Sequence, residues 1–309
     1  RLHIFMNMPD SLKGMNIMSA KQHRNTKSFK NSKDRDMRHR DINKDKDKSK
    51  EKNKEQGEQV DDLMWGRQPI LDLLRYSPQK CLKLWISERV HPSFSGEVTT
   101  LARSAKVTFQ KVAPMVLDTM CIGENHQGVV AKITAVDQLE LDDFLPTIAS
   151  NKTPVLLVVL DHILDPHNLG AIIRSAEAAG ATAVIYPKRR SALPGGTVVK
   201  VSAGAALRLP MISVTNIAQT IVQLQGEGFW VVGLDHNAKQ TLWEATYPDK
   251  AVFVVGAEGE GLSRLVAERC DMLVRIPITG KTGSLNASVA AALGMFEWAR
   301  GKGVDGHGE

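Results

Sequence analysis

The feature that most restricts the fold is an alternation of apolar runs and helix-forming stretches from Pro154 onward. Six short runs consist almost entirely of apolar residues: VLLVVLD, TAVIY, PMISV, FWVVGLD, AVFVVG and MLVRI. Helix-forming stretches follow Asp165, Asn216, Gly261 and Ser284. Near-continuous apolar strands separated by helices are typical of a parallel sheet covered on both faces. We therefore predict an α/β domain over residues 154–303, with ligands bound outside the carboxyl ends of its strands.

A smaller α/β unit is predicted upstream, over residues 63–138. Its first part has apolar residues at helical spacing around Ile70, a turn at Ser77-Pro78 and an apolar strand from Cys81 to Ile86. A second helix near 95–104, a strand near 107–112 and the stretch HQGVVAKIT follow. Residues 139–153 are acidic and then contain Pro and Ser, which favours a linker between the two units.

The first 60 residues form a polar tail. They contain 16 Lys and Arg against 9 Asp and Glu, and almost no apolar residue between 28 and 59. Such a segment cannot bury enough surface to offset its ordering entropy, so we predict disorder. A basic arm for RNA is one interpretation, although the interleaved acids weaken it. The same acids argue against a mitochondrial presequence.

Composition excludes several classes of protein. No run approaches the roughly 18 apolar residues of a membrane span. The three cysteines, Cys81, Cys121 and Cys270, form no CxxC pair, which argues against a disulfide framework and a cysteine-rich zinc site. We predict no metal site and no membrane partner, and a reducing, cytoplasmic location.

The sequence RIPITGKTGSLNASVAA contains Gly-Lys-Thr, which raises the question of a phosphate-binding P-loop. A P-loop requires a glycine five residues before its Gly-Lys pair, and this position is Arg275. Gly283 also separates the loop from Ser284, the predicted N-cap of the next helix. An apolar edge at Ile276 and Ile278 beside a flexible loop suits a flat heteroaromatic ring such as adenine better than a polyphosphate.

A second candidate loop is DPHNLGAIIRSAEAAG. Asp165 suits the N-cap of a helix and Gly180 its C-terminal end. Apolar residues at helical spacing form a stripe along this helix: Leu169, Ile172, Ile173, Ala176 and Ala179. Neither the cap nor this stripe accounts for Asn168, in the first turn, or for Arg174, which lies off the stripe. The alternative to a functional role is that Arg174 is a solvated surface side chain and that Asn168 binds no ligand.

The third loop, VVGAEGEGLSRL, leaves a strand and enters a helix. Gly256, Gly259 and Gly261 permit close approach of the backbone to a ligand, and Glu258 places a carboxylate among them. A tight turn with a surface glutamate is the alternative. The spacing is not G-x-G-x-x-G, which disfavours a dinucleotide-dependent oxidoreductase.

These three stretches resemble, in order and spacing, the three motifs of the SpoU (TrmH) family of RNA ribose 2′-O-methyltransferases in the SPOUT superfamily. The resemblance covers about residues 154–300. Residues 63–138 resemble the L30e/L7Ae-like substrate-binding domain of the RlmB-like branch, which methylates a guanosine of large-subunit (23S) rRNA. The resemblance implies a SPOUT fold with a C-terminal trefoil knot, S-adenosylmethionine as methyl donor, RNA as substrate and a homodimer whose interface includes the final helix.

The resemblance also assigns roles to individual residues. It implies four catalytic residues: Asn168, Arg174, Glu258 and Asn286. It implies six residues at the cofactor: Gly256, Gly261, Ile276, Ile278, Ser284 and Leu285. Further RNA contacts are candidates at His126 and at Lys188, Arg189 and Arg190, although a local hydrogen bond and a solvated surface explain them equally well.

A ribose hydroxyl is a poor nucleophile, so catalysis must align it with the methyl group and help it to lose its proton. A guanidinium normally stays protonated, so we interpret Arg174 as an electrostatic stabiliser rather than a base. Two other functions stay open. One is methylation of tRNA by the same chemistry, and the other is a non-catalytic RNA-binding assembly factor.

Overall fold

The computed structural model describes residues 62–150 and 153–303. The tail, residues 1–60, predicted to be disordered, lies outside the described residues. Within the described residues no helix is long and apolar enough to cross a membrane.

The upstream unit is built on a four-stranded mixed sheet in the order β1-β4-β2-β3. The pairs β1/β4 and β4/β2 are antiparallel and β2/β3 is parallel. The predicted helix near Ile70 and the predicted strand from Cys81 are present. Its elements are β1 (Leu63–Trp65), α1 (Arg67–Tyr76), β2 (Cys81–Ser87), α2 (Pro92–Ser104), β3 (Phe109–Val112), α3 (Pro114–Met120) and β4 (Val129–Ile133), with a 3-10 turn at Pro78–Lys80.

Residues predicted as a linker have regular structure. Gln138–Leu139 forms β5, an edge strand of the second sheet, and Leu141–Ile148 forms helix α4. The apolar residues of α4 recur at helical spacing and are buried: Leu141, Phe144, Leu145 and Ile148. The segment between the two units is therefore packed onto the larger one.

The second sheet has eight strands in the order β10-β12-β9-β11-β6-β7-β8-β5, and every neighbouring pair is parallel. All six apolar runs singled out in the sequence form strands. The remaining strands are β6 (Val155–Asp161), β7 (Ala183–Pro187), β8 (Met211–Val214), β9 (Trp230–Leu234), β10 (Gln240–Thr241), β11 (Lys250–Gly256) and β12 (Met272–Arg275). The predicted α/β architecture with a parallel sheet is confirmed.

Helices cover both faces of this sheet, as the apolar strands require. Alternate residues of β6 enter two separate cores: Leu156, Val158 and Leu160 face one, and Leu157 and Val159 face the other. The first face is covered by α5 (Pro166–Ala178), α6 (Gly196–Val201) and α9 (Ala287–Gly301), and the second by α4, α7 (Ile217–Gly226) and α8 (Arg264–Arg269). Helices α4 and α6 are absent from the sequence prediction.

The upstream unit docks against α6 and α5. The Lys200 ammonium group lies 2.8 Å from the Glu124 carboxylate and 4.4 Å from the centre of the Trp65 ring. The hydrogen bond from Lys200 lowers the pKa of Glu124. Arg208 forms a bidentate pair with Glu177 of α5 and lies over the Tyr76 ring of α1. These contacts fix the loop that contains Glu124 beside the larger domain.

Helix α9 packs closely on β11 because Gly294 has no side chain. A Cβ at this position would lie 2.9 Å from Cδ1 of the buried Phe253 ring. We expect Gly294→Ala to lower the free energy of unfolding by about 1 kcal/mol, since overpacking outweighs the gain in helix propensity. Gly301→Ala in the same helix is the matched control, because nothing lies within 4 Å of its Cβ position. Urea unfolding measures both, and equal stability of the two variants would contradict this packing.

Candidate functional site

The site forms where the strand order of the large sheet reverses. From β6 the chain continues to β7 on one side, whereas β11, β9 and β12 lie on the other side. In the parallel pair β6/β11, Asp161 is aligned with Gly256, so the two strands end together. The loops that follow these strands therefore start side by side, at the place where open α/β sheets bind ligands.

Gly256 is required by the tight turn after β11. A Cβ on Gly256 would lie 2.1 Å from the carbonyl carbon of Gly261, a distance that no real side chain adopts. The Gly261 amide donates to the Ala257 carbonyl at 2.9 Å, which closes the turn. Gly259 and Gly261 have positive φ angles of 83° and 71°, a conformation that favours glycine. The turn presents Glu258 at its exposed tip.

Three of the four predicted catalytic residues meet in one hydrogen-bonded triangle. The side-chain Nδ2 of Asn286 donates to Asn168 Oδ1 at 2.9 Å and to Glu258 Oε2 at 3.4 Å. Asn168 Nδ2 also donates to Glu258 Oε2, at 3.3 Å. The carboxylate is thus held by two amides from different loops. Residues far apart in the chain converge here, as the three motifs predicted.

Two N-caps position the amides of the triangle. Asp165 caps α5 as predicted, accepting from the His167 amide at 3.0 Å, and this places Asn168 in the first turn. The N-cap of α9 is Asn286, which accepts from the Ser288 amide at 2.9 Å. The prediction of Ser284 as this N-cap was wrong. Asn286 uses its oxygen for the cap and its nitrogen for the triangle.

Arg174 does not join the triangle. It lies on α5, six residues after Asn168, with an exposed side chain. Among the described residues it forms no salt bridge and no side-chain hydrogen bond. Its guanidinium is therefore available to a bound ligand, and its predicted role as a stabiliser stays a prediction.

A cavity of about 270 Å³ opens beside the triangle. All six residues predicted at the cofactor line it: Gly256, Gly261, Ile276, Ile278, Ser284 and Leu285. Sequence reasoning missed Leu234, Asp235 and His236, which also line the cavity. Leu234 ends β9, and Asp235 and His236 follow it, so a polar pair after a strand was the available signal.

A fourth missed residue is Asp161, at the end of β6. Its carboxylate is buried and accepts from the Ser263 amide at 2.7 Å. Its other oxygen lies 2.6 Å from His162 Nδ1. Asp161 therefore links the end of β6 to the start of α8, directly after the glycine turn. An acid ending an otherwise apolar strand was the signal in the sequence.

His126 forms local hydrogen bonds, which was one of its two interpretations from sequence; the other was RNA contact. Its Nδ1 accepts from the Gly128 amide at 2.9 Å, and its Nε2 lies 3.0 Å from Asp118. Across residues 62–150 and 153–303, no group of three or more His, Cys, Asp and Glu side chains is arranged to hold a metal ion.

The cavity lies at the carboxyl edge of a parallel α/β sheet, and the family comparisons place the chain in the class of α/β methyltransferases. The chain belongs to the SpoU family. Residues 155–296 match the model of the SpoU rRNA Methylase family, and residues 63–139 match the model described as RNA 2′-O ribose methyltransferase substrate binding.

Relatives and solved structures agree with this assignment. The 23S rRNA (guanosine-2′-O-)-methyltransferase RlmB of Pseudomonas aeruginosa is 40% identical over 77% of this chain and 95% of its own length. A crystal structure of an RNA 2′-O ribose methyltransferase has a TM-score of 0.64 at 26% identity, covering 77% of this chain and 88% of its own. The SpoU methyltransferase AviRb from Streptomyces viridochromogenes, in complex with AdoMet, shares the fold with a TM-score of 0.61 at 24% identity, over 77% and 89% of the two chains.

Proposed function

We propose that this protein is an S-adenosylmethionine-dependent RNA ribose 2′-O-methyltransferase that modifies a guanosine of 23S rRNA. The observation that carries the proposal is the triangle of Asn168, Glu258 and Asn286 beside a cavity lined by all six predicted cofactor residues. The identity to relatives named for this activity, 36–40%, supports the choice of rRNA guanosine.

The residues of the cavity fit S-adenosylmethionine. The cavity volume of about 270 Å³ lies just below the usual range for small-molecule sites, about 300–1,000 Å³. Ile276, Ile278 and Leu285 offer an apolar wall for an adenine ring, and Gly256 and Gly261 at the same cavity have no side chains that would fill it. Asp235 and Glu258 place carboxylates at the same cavity, which suits a positively charged ligand. When bound, the cofactor supplies a methyl group already activated by an adjacent positive sulfur.

The protein residues then act on the ribose. Glu258, held by two amides, is placed to accept a hydrogen bond from the 2′-hydroxyl and to fix its direction. Asn168 and Asn286 keep that carboxylate from rotating away. Arg174, with no protein partner in the described residues, stabilises the developing negative charge or the neighbouring phosphate.

One substitution separates the two tasks of Asn286. Asn286→Asp keeps the oxygen that caps α9, so we expect the free energy of unfolding to change by less than about 1 kcal/mol. The variant loses the Nδ2 donor and sets a second carboxylate against Glu258, since the two side chains are 3.4 Å apart. We expect methyl transfer to fall about 100-fold. Denaturant unfolding and the initial rate of methyl transfer are measured for the wild type and for Asn286→Asp. Methyl transfer by the variant at the wild-type rate would contradict the role of the triangle.

The proposal includes a division of labour along the chain. Residues 63–138 select the RNA, residues 154–303 bind the cofactor and perform catalysis, and residues 139–153 connect them. The family matches to 63–139 and 155–296 support these bounds. An L30e/L7Ae-like fold for the first unit is supported by its α/β element order around a mixed sheet. A trefoil knot is supported by the convergence of the 256–261 turn and of residues between 276 and 285 on one cavity.

A homodimer and a cytoplasmic location complete the proposal. Val289 and Phe296, seven residues apart on α9, are both about half exposed, which supports a self-interface on this helix. Sedimentation of the wild type and of Phe296→Ser tests it. All three cysteines are free thiols, which favours a reducing compartment.

The test of the function is transfer of a labelled methyl group from S-adenosylmethionine to unmodified 23S rRNA and to unmodified tRNA. A 2′-O-methyl group protects its neighbouring phosphodiester from alkaline cleavage, so the product can be mapped to one nucleotide. We expect protection at a single guanosine of 23S rRNA. Protection on tRNA instead would reassign the substrate, and RNA binding without cofactor binding would favour the assembly factor.

A further inference from the structure

Two leucines stand out at the mouth of the site because their side chains face solvent. Leu164 lies between β6 and α5 and is 66% exposed, and Leu193 lies between β7 and α6 and is 60% exposed. β6 and β7 are parallel neighbours, so the loops after them share one edge of the sheet. Large apolar side chains that are exposed together on one surface indicate an interaction site, whereas scattered single ones do not.

Hydrogen bonds tie the two leucine loops together. The carbonyl of Ile163 accepts from the Ala192 amide at 2.8 Å and from Ser191 Oγ at 3.1 Å. Ile163 and Ala192 are buried, and each directly precedes one of the leucines. The backbone is therefore fixed immediately beside both exposed side chains, which pre-organises them for contact with a ligand.

The same surface has positive charge without acidic partners. Arg189 and Arg190 precede Leu193 in its loop, are exposed, and form no ion pair within the described residues. Their neighbour Lys188 differs, since it pairs with Glu140 at 2.7 Å. Asp165, the acid next to Leu164 in the chain, is engaged as the N-cap of α5. The two guanidinium groups are thus available for an anion.

The surface also borders the catalytic triangle. Leu164 is four residues before Asn168, at the entrance to the first turn of α5. When the reactive nucleotide of an RNA chain reaches the triangle, the nucleotides on either side of it must lie on the adjacent protein surface. Bases and phosphates of a single strand require apolar and cationic contacts, respectively.

We propose that Leu164, Leu193, Arg189 and Arg190 form a contact surface for single-stranded RNA next to the methylated nucleotide. The leucines contact the face of a flanking base and the arginines contact its phosphates. The inference rests on the proposed function and adds a site to it. A second copy of the chain is a poorer occupant, because a symmetric contact would set these arginines against their own equivalents.

The test compares two double variants with a matched control. Leu164→Ser/Leu193→Ser removes the apolar pair, and Arg189→Gln/Arg190→Asn removes the charges. Asparagine is chosen at 190 because this residue has a φ of 56°, which asparagine tolerates. The control, Val222→Ser/Leu265→Ser, removes a pair of apolar side chains, each about half exposed, from α7 and α8 on the face of the sheet opposite to α5 and α6.

Steady-state methylation of a 23S rRNA fragment and calorimetric binding of S-adenosylmethionine are measured for each protein. We expect the leucine variant to raise KM for RNA about tenfold, through loss of apolar contact, with unchanged cofactor affinity. We expect the arginine variant to raise KM and to reduce the slope of log KM against log salt by about 1.4, or about 0.7 for each phosphate contact to a single strand. The control stays at the wild-type values.

Failure of the inference and failure of the proposed function give different results. Wild-type methylation of RNA combined with an unchanged KM in both double variants would overturn the inference alone. So would a leucine variant that sediments as a smaller species than the wild type, since the surface would then join copies of the chain. A wild-type protein that methylates no RNA would overturn both.

Discussion

Arg174→Lys is expected to lower the rate of methyl transfer about 100-fold while leaving the affinity for S-adenosylmethionine unchanged. Lysine retains the charge but has a single ammonium group in place of the planar fork of donors. Loss of one donor to a developing oxyanion typically costs this factor or more. Arg174 lies on the exposed side of α5 and outside the cavity, so binding of the cofactor does not depend on it.

Arg264→Lys is the control for this variant. Arg264 is an exposed helical arginine whose ion pair is with Glu268, within its own helix. Single-turnover transfer and calorimetry are performed on both proteins. Turnover by Arg174→Lys at the wild-type rate would exclude a role for the guanidinium fork. A loss of cofactor affinity would instead place Arg174 among the residues that bind the cofactor.

The second large effect is expected at Gly256. Alanine would place a Cβ 2.1 Å from the Gly261 carbonyl carbon and 2.2 Å from its oxygen. The clash is with backbone that is closed by the bond between Gly261 and Ala257, so no side-chain rotation relieves it. We expect Gly256→Ala to lower the free energy of unfolding by about 3 kcal/mol and to weaken cofactor binding more than about 100-fold.

Gly280→Ala provides the comparison for Gly256. Gly280 belongs to the loop before α9, has no positive φ, and has nothing within 4 Å of its Cβ position. Denaturant unfolding and cofactor titration are expected to give values close to the wild type for this control. Cofactor affinity of Gly256→Ala equal to that of Gly280→Ala would mean that the turn after β11 does not shape the cavity.

Most of the strands were predictable because a strand buried on both faces must be apolar throughout. β6 and β11 read as continuous apolar runs, and this pattern alone implies a covered parallel sheet. Placement of the loops at one edge follows from parallel strands, so the meeting of Asn168 with Glu258 was also predictable. The residues Asp235 and His236 could have been found by the same rule.

Other features were missed for identifiable reasons. Helix α4 was predicted as a linker because its acids and Pro146 outweighed an apolar spacing that was in fact present. Helix α6 has six residues, too few for a helical period to be recognised. Ser284 and Asn286 are both good N-caps, and local preference cannot choose between them.

Contacts between distant segments depend on packing that local sequence does not report. The pair of Lys200 and Glu124 joins residues 76 positions apart. Neither residue has a periodic or motif signal, since a surface lysine and a loop glutamate are ordinary. The absence of Arg174 from the triangle was unpredictable for the same reason. The direction in which a side chain leaves its helix, relative to a site, depends on how the helix packs against other elements.

The most direct test of the central claim uses two versions of one 23S rRNA fragment that differ by a single oxygen. The guanosine mapped as the methylation site is synthesised with ribose or with 2′-deoxyribose, and transfer of a labelled methyl group is measured in a single turnover. If the protein methylates the ribose hydroxyl, label enters the ribose fragment and not the deoxyribose fragment, although both bind. Equal labelling of the two fragments would contradict ribose 2′-O-methylation and place the methyl group on the base.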